Sequence, residues 1–122
     1  MFTHSLIIVV VVMEVDQVLS ALADPTRRQV VQLLGRGPMR AGELADAAGL
    51  SAPAMSRHLR VLLRTGVVSD ERRQEDARLR VFHLRPERLA SLQAWLDEVQ
   101  AHWDQQLGSF QRHVERRTAD VP

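Results

Sequence analysis

LSAPAMSRHLRVLLR, residues 50–64, is the most informative stretch of this 122-residue chain. Ser51 predicts an N-cap, because its hydroxyl can accept a hydrogen bond from the first-turn amides. Pro53 follows within the first turn, where the missing N–H costs no hydrogen bond. At about 100° per residue, one helical face carries Met55, Leu59 and Leu62. The stretch therefore predicts a short amphipathic helix with one uncharged face.

The opposite face of this helix is polar and basic. It carries Pro53, Ser56, Arg57, Arg60 and Arg64. A solvated outer face is one interpretation of this pattern. A surface that binds a polyanion is the other, because guanidinium groups pair well with phosphates. The residues around the helix favour the second interpretation.

Positive charge is concentrated around this helix. Residues 24–88 contain 13 arginines and 8 acidic residues, a net charge of +5, whereas residues 1–23 and residues 89–122 each carry −2. The whole chain has a net charge of only +1. A basic segment between acidic flanks indicates a nucleic-acid-binding face.

The preceding residues complete a helix-turn-helix pattern. Residues 41–48 predict a short alanine-rich helix, with Leu44 and Ala45 or Ala48 facing inward. Gly49 then predicts a tight turn before the Ser51 cap. In a helix-turn-helix unit the second helix enters the major groove. Residues 52–64 are therefore the predicted recognition helix.

The residues after Gly66 predict a β-hairpin. Residues 67–73 and 79–84 alternate in polarity as two strands, and the polar residues 74–77 form the turn. The hairpin carries Arg72, Arg73, Arg78 and Arg80. We expect these arginines to lie along a phosphate backbone, although Arg72 and Arg78 individually also fit a solvated hairpin.

Three further helices are predicted, over residues 14–22, 25–34 and 86–117. Asp24 and Pro25 predict the boundary between the first two. The last would be about 45 Å long, more than a small winged-helix core can cover, so its distal half needs a partner. We infer a homodimer whose interface contains Val15 and Leu19 of the first helix and Leu96, Val99, Trp103, Leu107, Phe110 and Val114 of the last.

The apolar run LIIVVVVM, residues 6–13, is the most ambiguous part of the chain. A membrane span needs about 20 residues, so we expect no membrane association. A signal peptide fits poorly, because no lysine or arginine precedes the run. We expect Met13 to be the natural start and residues 1–12 to be an extension, either a docked β-strand or a loose tail. Residues 13–117 would then form the domain and residues 118–122 a tail.

The sequence contains no cysteine, which excludes disulfides, thiol nucleophiles and thiolate metal sites. This composition fits a cytoplasmic protein. No pairing of a nucleophile with a base and no phosphate-binding glycine loop is apparent. We therefore expect a non-enzymatic protein without a cofactor.

Three blocks of sequence resemble the ArsR/SmtB-type winged-helix repressors. They are LADPTRRQVVQLL (22–34), GELADAAGLSAPAMSRHLRVLLRTGVV (42–68) and VFHL (81–84). The resemblance covers residues 14–117. It implies a mainly α fold with a small β-hairpin, a winged helix-turn-helix dimerised through its first and last helices. It also implies a repressor that binds a two-fold-symmetric operator on double-stranded DNA and leaves it on binding an inducer, often a metal.

Carried onto this sequence, the resemblance implies roles for the exposed residues of the recognition helix. Ala52, Pro53, Ser56 and Arg57 would approach base edges, and Arg57 fits guanine O6 and N7 best. Arg60, Arg64 and the hairpin arginines would contact phosphates. The full predicted DNA-binding set is Ser51, Ala52, Pro53, Ser56, Arg57, Arg60, Arg64, Arg72, Arg73, Arg78 and Arg80. His58 is expected to project sideways, in a packing or phosphate role.

A metal inducer is less well supported. The cysteine site of arsenic- and cadmium-sensing members is excluded. The last helix offers His102, Asp104, His113 and Glu115, but in a different order from that of zinc-sensing members. Its two histidines would lie about 16 Å apart along one helix, so only two chains together could bind zinc. AHWDQQLGSF, residues 101–110, resembles a metal-free branch instead, and no inducer is predicted. A zinc-responsive repressor and a winged-helix protein–protein module remain the alternatives.

Overall fold

A computed structural model describes residues 2–73 and 76–119, without the side chains of residues 2–5, 8, 73 and 76–78. The elements are α1 (Phe2–Leu22), α2 (Pro25–Leu34), β1 (Met39–Arg40), α3 (Ala41–Ala48), α4 (Ala52–Arg64), β2 (Val68–Arg73), β3 (Asp76–Leu84) and α5 (Pro86–Ala119). They form two compact units, Met1–Leu92 and Gln93–Pro122. The predicted fold class, mainly helical with a small antiparallel sheet, is confirmed.

The core of the first unit is built from the apolar faces of its helices and sheet. The buried cluster comprises Val18, Ala21, Val30, Leu34, Leu44, Ala45, Met55, Leu59, Leu62, Val67, Val68 and Phe82. The predicted inward face of α4 is confirmed, because Met55, Leu59 and Leu62 are all buried. Burial of each such side chain stabilises the fold by about 1.5–3 kcal/mol. Only this apolar face attaches α4 to the core.

Both helices of the helix-turn-helix end in the same glycine-dependent geometry. Gly49 follows α3 at φ 67°, and Leu50 donates its N–H to the Ala45 carbonyl at 2.9 Å. Gly66 follows α4 at φ 78°, and Val67 donates its N–H to the Leu62 carbonyl at 3.1 Å. These are Schellman motifs, in which a left-handed glycine lets the chain satisfy the last helical carbonyls.

The sheet contains a strand that the sequence did not indicate. β1 pairs antiparallel with β3, with Met39 opposite Phe82, so the strand order is β1-β3-β2. β2 begins at Val68 rather than at residue 67. The predicted turn over residues 74–77 was too long, because β3 already begins at Asp76. Residues 74 and 75 lie outside the described part of the chain.

The expectation of a strand or a loose tail at the N-terminus was wrong. α1 includes residues 6–13, and the described side chains from Leu6 to Met13 are exposed. A helix satisfies its own backbone hydrogen bonds, whereas a strand here would need a free sheet edge. None of the described helices has the combination of length and hydrophobicity that spanning a membrane requires.

Two arginines of α2 complete the end of α1. The Arg27 guanidinium donates to the Ala21 carbonyl at 2.6 Å and to the Ser20 carbonyl at 3.2 Å. Arg28 donates to the Leu22 carbonyl at 2.8 Å. Cations at a helix C-terminus satisfy unpaired carbonyls and oppose the negative end of the helix dipole. These two arginines therefore stabilise the corner between α1 and α2.

Asp24 caps α2 as predicted, and its carboxylate accepts from the Arg27 and Thr26 amides at 3.1 and 2.8 Å. The hydrogen bond from the Arg27 amide is the main cause that lowers the pKa of Asp24 from its ordinary value. Burial raises this pKa, whereas the Thr26 amide and the charges of His58 and Arg27 lower it further. Because the folded pKa is lowered, this stabilisation is complete above the unfolded pKa and is lost as the pH falls through the folded value.

We expect Asp24→Ala to cost about 1 kcal/mol of unfolding free energy at pH 7, the usual value of an N-cap. That cost should shrink below about pH 3.8, because the protonated carboxyl is a weaker acceptor. Asp24→Asn is the control, since it keeps a capping oxygen and cannot titrate. Urea unfolding at pH 7 and at pH 3 measures both variants. An equal cost of Asp24→Ala at the two pH values would contradict this account.

The second unit is the distal part of α5, and none of its described side chains is buried. Gln93, Gln100 and Gln111 each donate a hydrogen bond to the carboxylate one turn later. Such i, i+4 pairs support a helix only weakly. The apolar side chains of α5 predicted to form the dimer interface, here called the apolar seam, are exposed along it, with Trp103 60% and Phe110 66% exposed.

Candidate DNA-binding surface

The outer face of α4 is fully presented to solvent. Every predicted contact residue on it is exposed: Ser51, Ala52, Pro53, Ser56, Arg57, Arg60 and Arg64. The Ser51 hydroxyl already accepts from the Ala54 amide at 3.3 Å, so it serves as the N-cap. A helix with three exposed guanidinium groups opposite a buried apolar face has the geometry of a recognition helix.

Four arginines of the first unit, in α4 and β2, have no partner among the residues that the structure describes. Arg57, Arg60, Arg64 and Arg72 make no hydrogen bond or ion pair with any residue that the structure describes. An unpaired, exposed guanidinium loses little on binding a phosphate or a base edge, because no internal contact must first be broken. Among the described side chains of this surface, these four guanidinium groups are therefore available to bind a phosphate or a base edge.

Arg80 differs from the other hairpin arginines. Its Nε and Nη2 both donate to Asp70 Oδ2, at 2.8 and 2.6 Å. Its guanidinium carbon also lies 5.1 Å from the centre of the Phe82 ring, in a cation–π contact. Arg80 is thus paired with Asp70 within the sheet, a contact that the sequence did not indicate, and its phosphate contact stays a prediction. The side chains of Arg73 and Arg78 lie outside the described residues.

A cleft of about 110 Å³ separates α4 from the sheet. Ser56 and Arg60 line one side and Arg80 lines the other. In this cleft the Arg60 guanidinium has no described partner, whereas the Arg80 guanidinium is paired with Asp70. Asp70 therefore limits the positive charge that the cleft presents.

We expect Asp70→Asn to strengthen binding to random DNA, because it removes the carboxylate that pairs with Arg80 and so releases the Arg80 guanidinium. One additional phosphate contact in each protomer should make the salt slope steeper by about 1 per protomer, or about 2 for a dimer. Affinity measured by fluorescence anisotropy at several salt concentrations tests this.

Glu71→Gln is the matched control, since it removes the same charge from the next residue, whose side chain is 78% exposed. An equal gain from both variants, or an unchanged salt slope in Asp70→Asn, would show that Arg80 does not gain a contact. The exposed Asp70–Arg80 pair itself should contribute less than about 1 kcal/mol to stability.

His58 lies to the side of the recognition face, as expected. Its Nδ1 is 3.9 Å from Asp24 Oδ1, and its side chain is only partly exposed. This places His58 against the start of α2, which fits a packing role.

A second histidine, His83, lies on the sheet. Ser69 and Glu71 lie near its ring, at 3.1 and 3.4 Å, on the face away from Phe82.

The four candidate metal ligands of α5 are all exposed. Asp104 and Glu115 accept hydrogen bonds from the glutamines one turn earlier, and His102 and His113 make no such contact with the described residues. Within residues 2–73 and 76–119, no three histidine or acidic side chains cluster as a metal site would require. The protomer therefore provides no assembled metal site among these residues.

Known proteins are similar to this chain in both sequence and fold. Residues 22–71 match a helix-turn-helix domain family. The HTH-type transcriptional regulator Rv2034 of Mycobacterium tuberculosis is 38% identical over 106 residues, which span 87% of this chain and 94% of that protein. The transcriptional repressor SdpR of Bacillus subtilis is 41% identical over 58 residues, 48% of this chain and 64% of that protein.

Two solved structures are similar as well. An ArsR family transcriptional regulator, RHA00566, superposes with a TM-score of 0.68 at 32% identity, over 75% of this chain and 92% of that one. The homodimeric winged helix-turn-helix domain of Mb0332 from Mycobacterium bovis has a TM-score of 0.59 at 24% identity, over 81% of this chain and 86% of that one. With the exposed recognition face, these matches lead to one conclusion: the chain belongs to the ArsR family of DNA-binding winged helix-turn-helix transcriptional regulators.

Proposed function

We propose that this protein is a repressor that binds an inverted-repeat operator as a homodimer. The observation that supports it most directly is the outer face of α4, where Arg57, Arg60 and Arg64 are exposed, without a partner in residues 2–73 and 76–119, opposite a buried apolar face. The similarity to the repressor SdpR supports repression rather than activation.

Arg57 and Ser56 are the proposed base-reading residues. Arg57 can donate two parallel hydrogen bonds to guanine, and Ser56 can donate to or accept from a base edge. Ala52 and Pro53 offer apolar contact at the start of the helix. Arg60, Arg64 and Arg72 are proposed to contact phosphates, which position the protein without reading the sequence.

The exposed apolar seam of α5 is the proposed dimer interface, together with Leu19 of α1. Its members are Leu96, Val99, Trp103, Leu107, Phe110 and Val114, and all are exposed in the protomer. Contiguous exposed apolar side chains of this size mark an interaction surface. Val15 no longer belongs to the proposed interface, because it is buried within its own protomer and only 2% exposed. The fold neighbour from Mycobacterium bovis is described as homodimeric.

Selection of bound DNA from a random pool, with the full chain as bait, tests this proposal. We expect enrichment of an inverted repeat whose half-site centres lie about 10–10.5 base pairs apart or a multiple of that distance. Binding should also weaken steeply with salt. Failure to enrich any sequence at micromolar protein would favour a protein–protein module. A second selection with zinc present tests the zinc-responsive alternative, which requires release only with the metal.

A further inference from the structure

Arg88, in the first turns of α5, joins three elements of the first unit. Its Nη1 lies 2.9 Å from Glu14 Oε1 on α1. Its side chain also lies over Gly66, the residue that ends the recognition helix. Both charged side chains are only partly exposed, 28% for Arg88 and 31% for Glu14. One guanidinium thus links α1 and the start of α5 to the end of α4.

The Arg88 side chain lies so close to Gly66 that a side chain at this position would displace it. A Cβ atom at Gly66 would lie 2.7 Å from Arg88 Nε and 3.4 Å from its Cγ. The left-handed φ of 78° already disfavours a side chain at this position. A neighbouring backbone bond reinforces the same junction, since Arg85 donates its N–H to the Val67 carbonyl at 2.9 Å. The end of α4 is therefore held directly against the start of α5.

The Arg88–Glu14 pair is a poor source of stability. Nη1 is buried and makes no aligned hydrogen bond with any described residue, despite its short distance to Glu14. A buried donor without a hydrogen bond is costly, and an ion pair offsets that cost only in part. The ion pair with Glu14 and the contact with Gly66 nevertheless both constrain the Arg88 side chain. Through that side chain they constrain the orientation of α4.

We propose that Arg88 is a positioning residue that sets the operator spacing the dimer accepts. Through Glu14 and Gly66 it fixes the direction of α4 relative to α1 and the first turns of α5. In a two-fold dimer, that direction determines where the second recognition helix meets the DNA. This proposal rests on the proposed homodimeric operator binding. Arg88 itself is assigned no contact with DNA.

The test compares the selected operator with versions in which one base pair is inserted or removed between the half-sites. Such a change rotates one half-site by about 35° around the DNA axis. The wild-type protein should lose affinity about 30-fold, whereas Arg88→Gln should lose only about 3-fold. The variant should bind the original operator less tightly than the wild type. Its salt slope and its affinity for a single half-site should be unchanged.

Glu14→Gln should reproduce the relaxed spacing, because it breaks the ion pair while the Arg88 stem still covers Gly66. Glu14→Gln also decides the outcome if Arg88→Gln does not fold, as judged by urea unfolding. Glu87→Gln is the matched control, since it removes an exposed partner 3.9 Å from Arg85 at the same helix start; its spacing preference should equal that of the wild type.

Two results have different meanings. Unchanged spacing discrimination in folded Glu14→Gln and Arg88→Gln dimers would overturn the role of Arg88 alone. A wild-type protein that neither dimerises nor prefers any spacing would overturn the proposed function, and the role of Arg88 with it.

Discussion

Replacing Arg57 with alanine is expected to remove most of the preference for the operator over random DNA. Arg57 is exposed and makes no contact with a described side chain that would have to be broken before its guanidinium binds guanine O6 and N7. Loss of one bidentate base contact costs about 1–3 kcal/mol, roughly 5- to 150-fold, and the proposed dimer loses one contact at each half-site, so operator affinity should fall by about the square of that factor. Binding to random DNA should fall much less. Gel shifts on the operator and on a scrambled duplex of equal length measure both affinities.

Arg60→Ala is the matched control, because it removes the same guanidinium from the next turn of the same helix. Arg60 lines the cleft beside the sheet and is proposed to contact a phosphate. Its loss should weaken both duplexes alike and reduce the salt slope by about 1 for each protomer, or about 2 for the proposed dimer. Equal losses on both duplexes for Arg57→Ala would contradict its role in base reading.

Replacing Trp103 with aspartate is expected to convert the dimer into a monomer and thereby remove operator binding. Trp103 is 60% exposed in the protomer, so the substitution should leave protomer folding unchanged. Aromatic residues at the centre of interfaces contribute about 2–4 kcal/mol, so dimer affinity should fall roughly 30- to 1000-fold. Sedimentation and gel shifts on the same samples measure assembly and DNA binding together.

Gln105→Asp is the control for added charge, since residue 105 is exposed on α5 but lies outside the apolar seam. It should leave both assembly and DNA binding unchanged. A Trp103→Asp protein that sediments as a dimer would show that the seam is not the interface. A monomer that still binds the full operator as tightly as the wild type would separate dimerisation from function.

Local patterns predicted α4 well. The cap at Ser51, the buried trio of Met55, Leu59 and Leu62, and the exposed arginines all depend on spacing within one helix, which is fixed at 3.6 residues per turn. The Gly49 turn is equally local. Such features require no knowledge of what packs nearby.

Features that depend on pairing between distant residues were missed. Arg80 and Asp70 lie diagonally across β2 and β3, so their ion pair depends on the register between these strands. The sequence predicts the hairpin but not that register. β1 is two residues long and exists only because β3 offers it an edge. The N-terminal run is rich in valine, whose preference for strands was overridden by continuity with α1.

The linkage of Arg88 to Glu14 and Gly66 had no detectable signal in the sequence. Glu14 and Arg88 are far apart in the chain, and neither belongs to a recognisable pattern. Only the left-handed position of Gly66, visible as a glycine after a helix, marked the junction. Long-range contacts of this kind require the folded arrangement of three elements.

The distal part of α5 buries none of its described side chains within the protomer. Isolated helices gain little stability in water without an apolar surface to pack against, so in the proposed dimer this segment would be stabilised when two chains meet. With a dimer as the binding species, operator occupancy at low expression rises with the square of the protein concentration. A modest change in synthesis rate would then shift the target gene between unrepressed and repressed states more sharply than a monomeric regulator could.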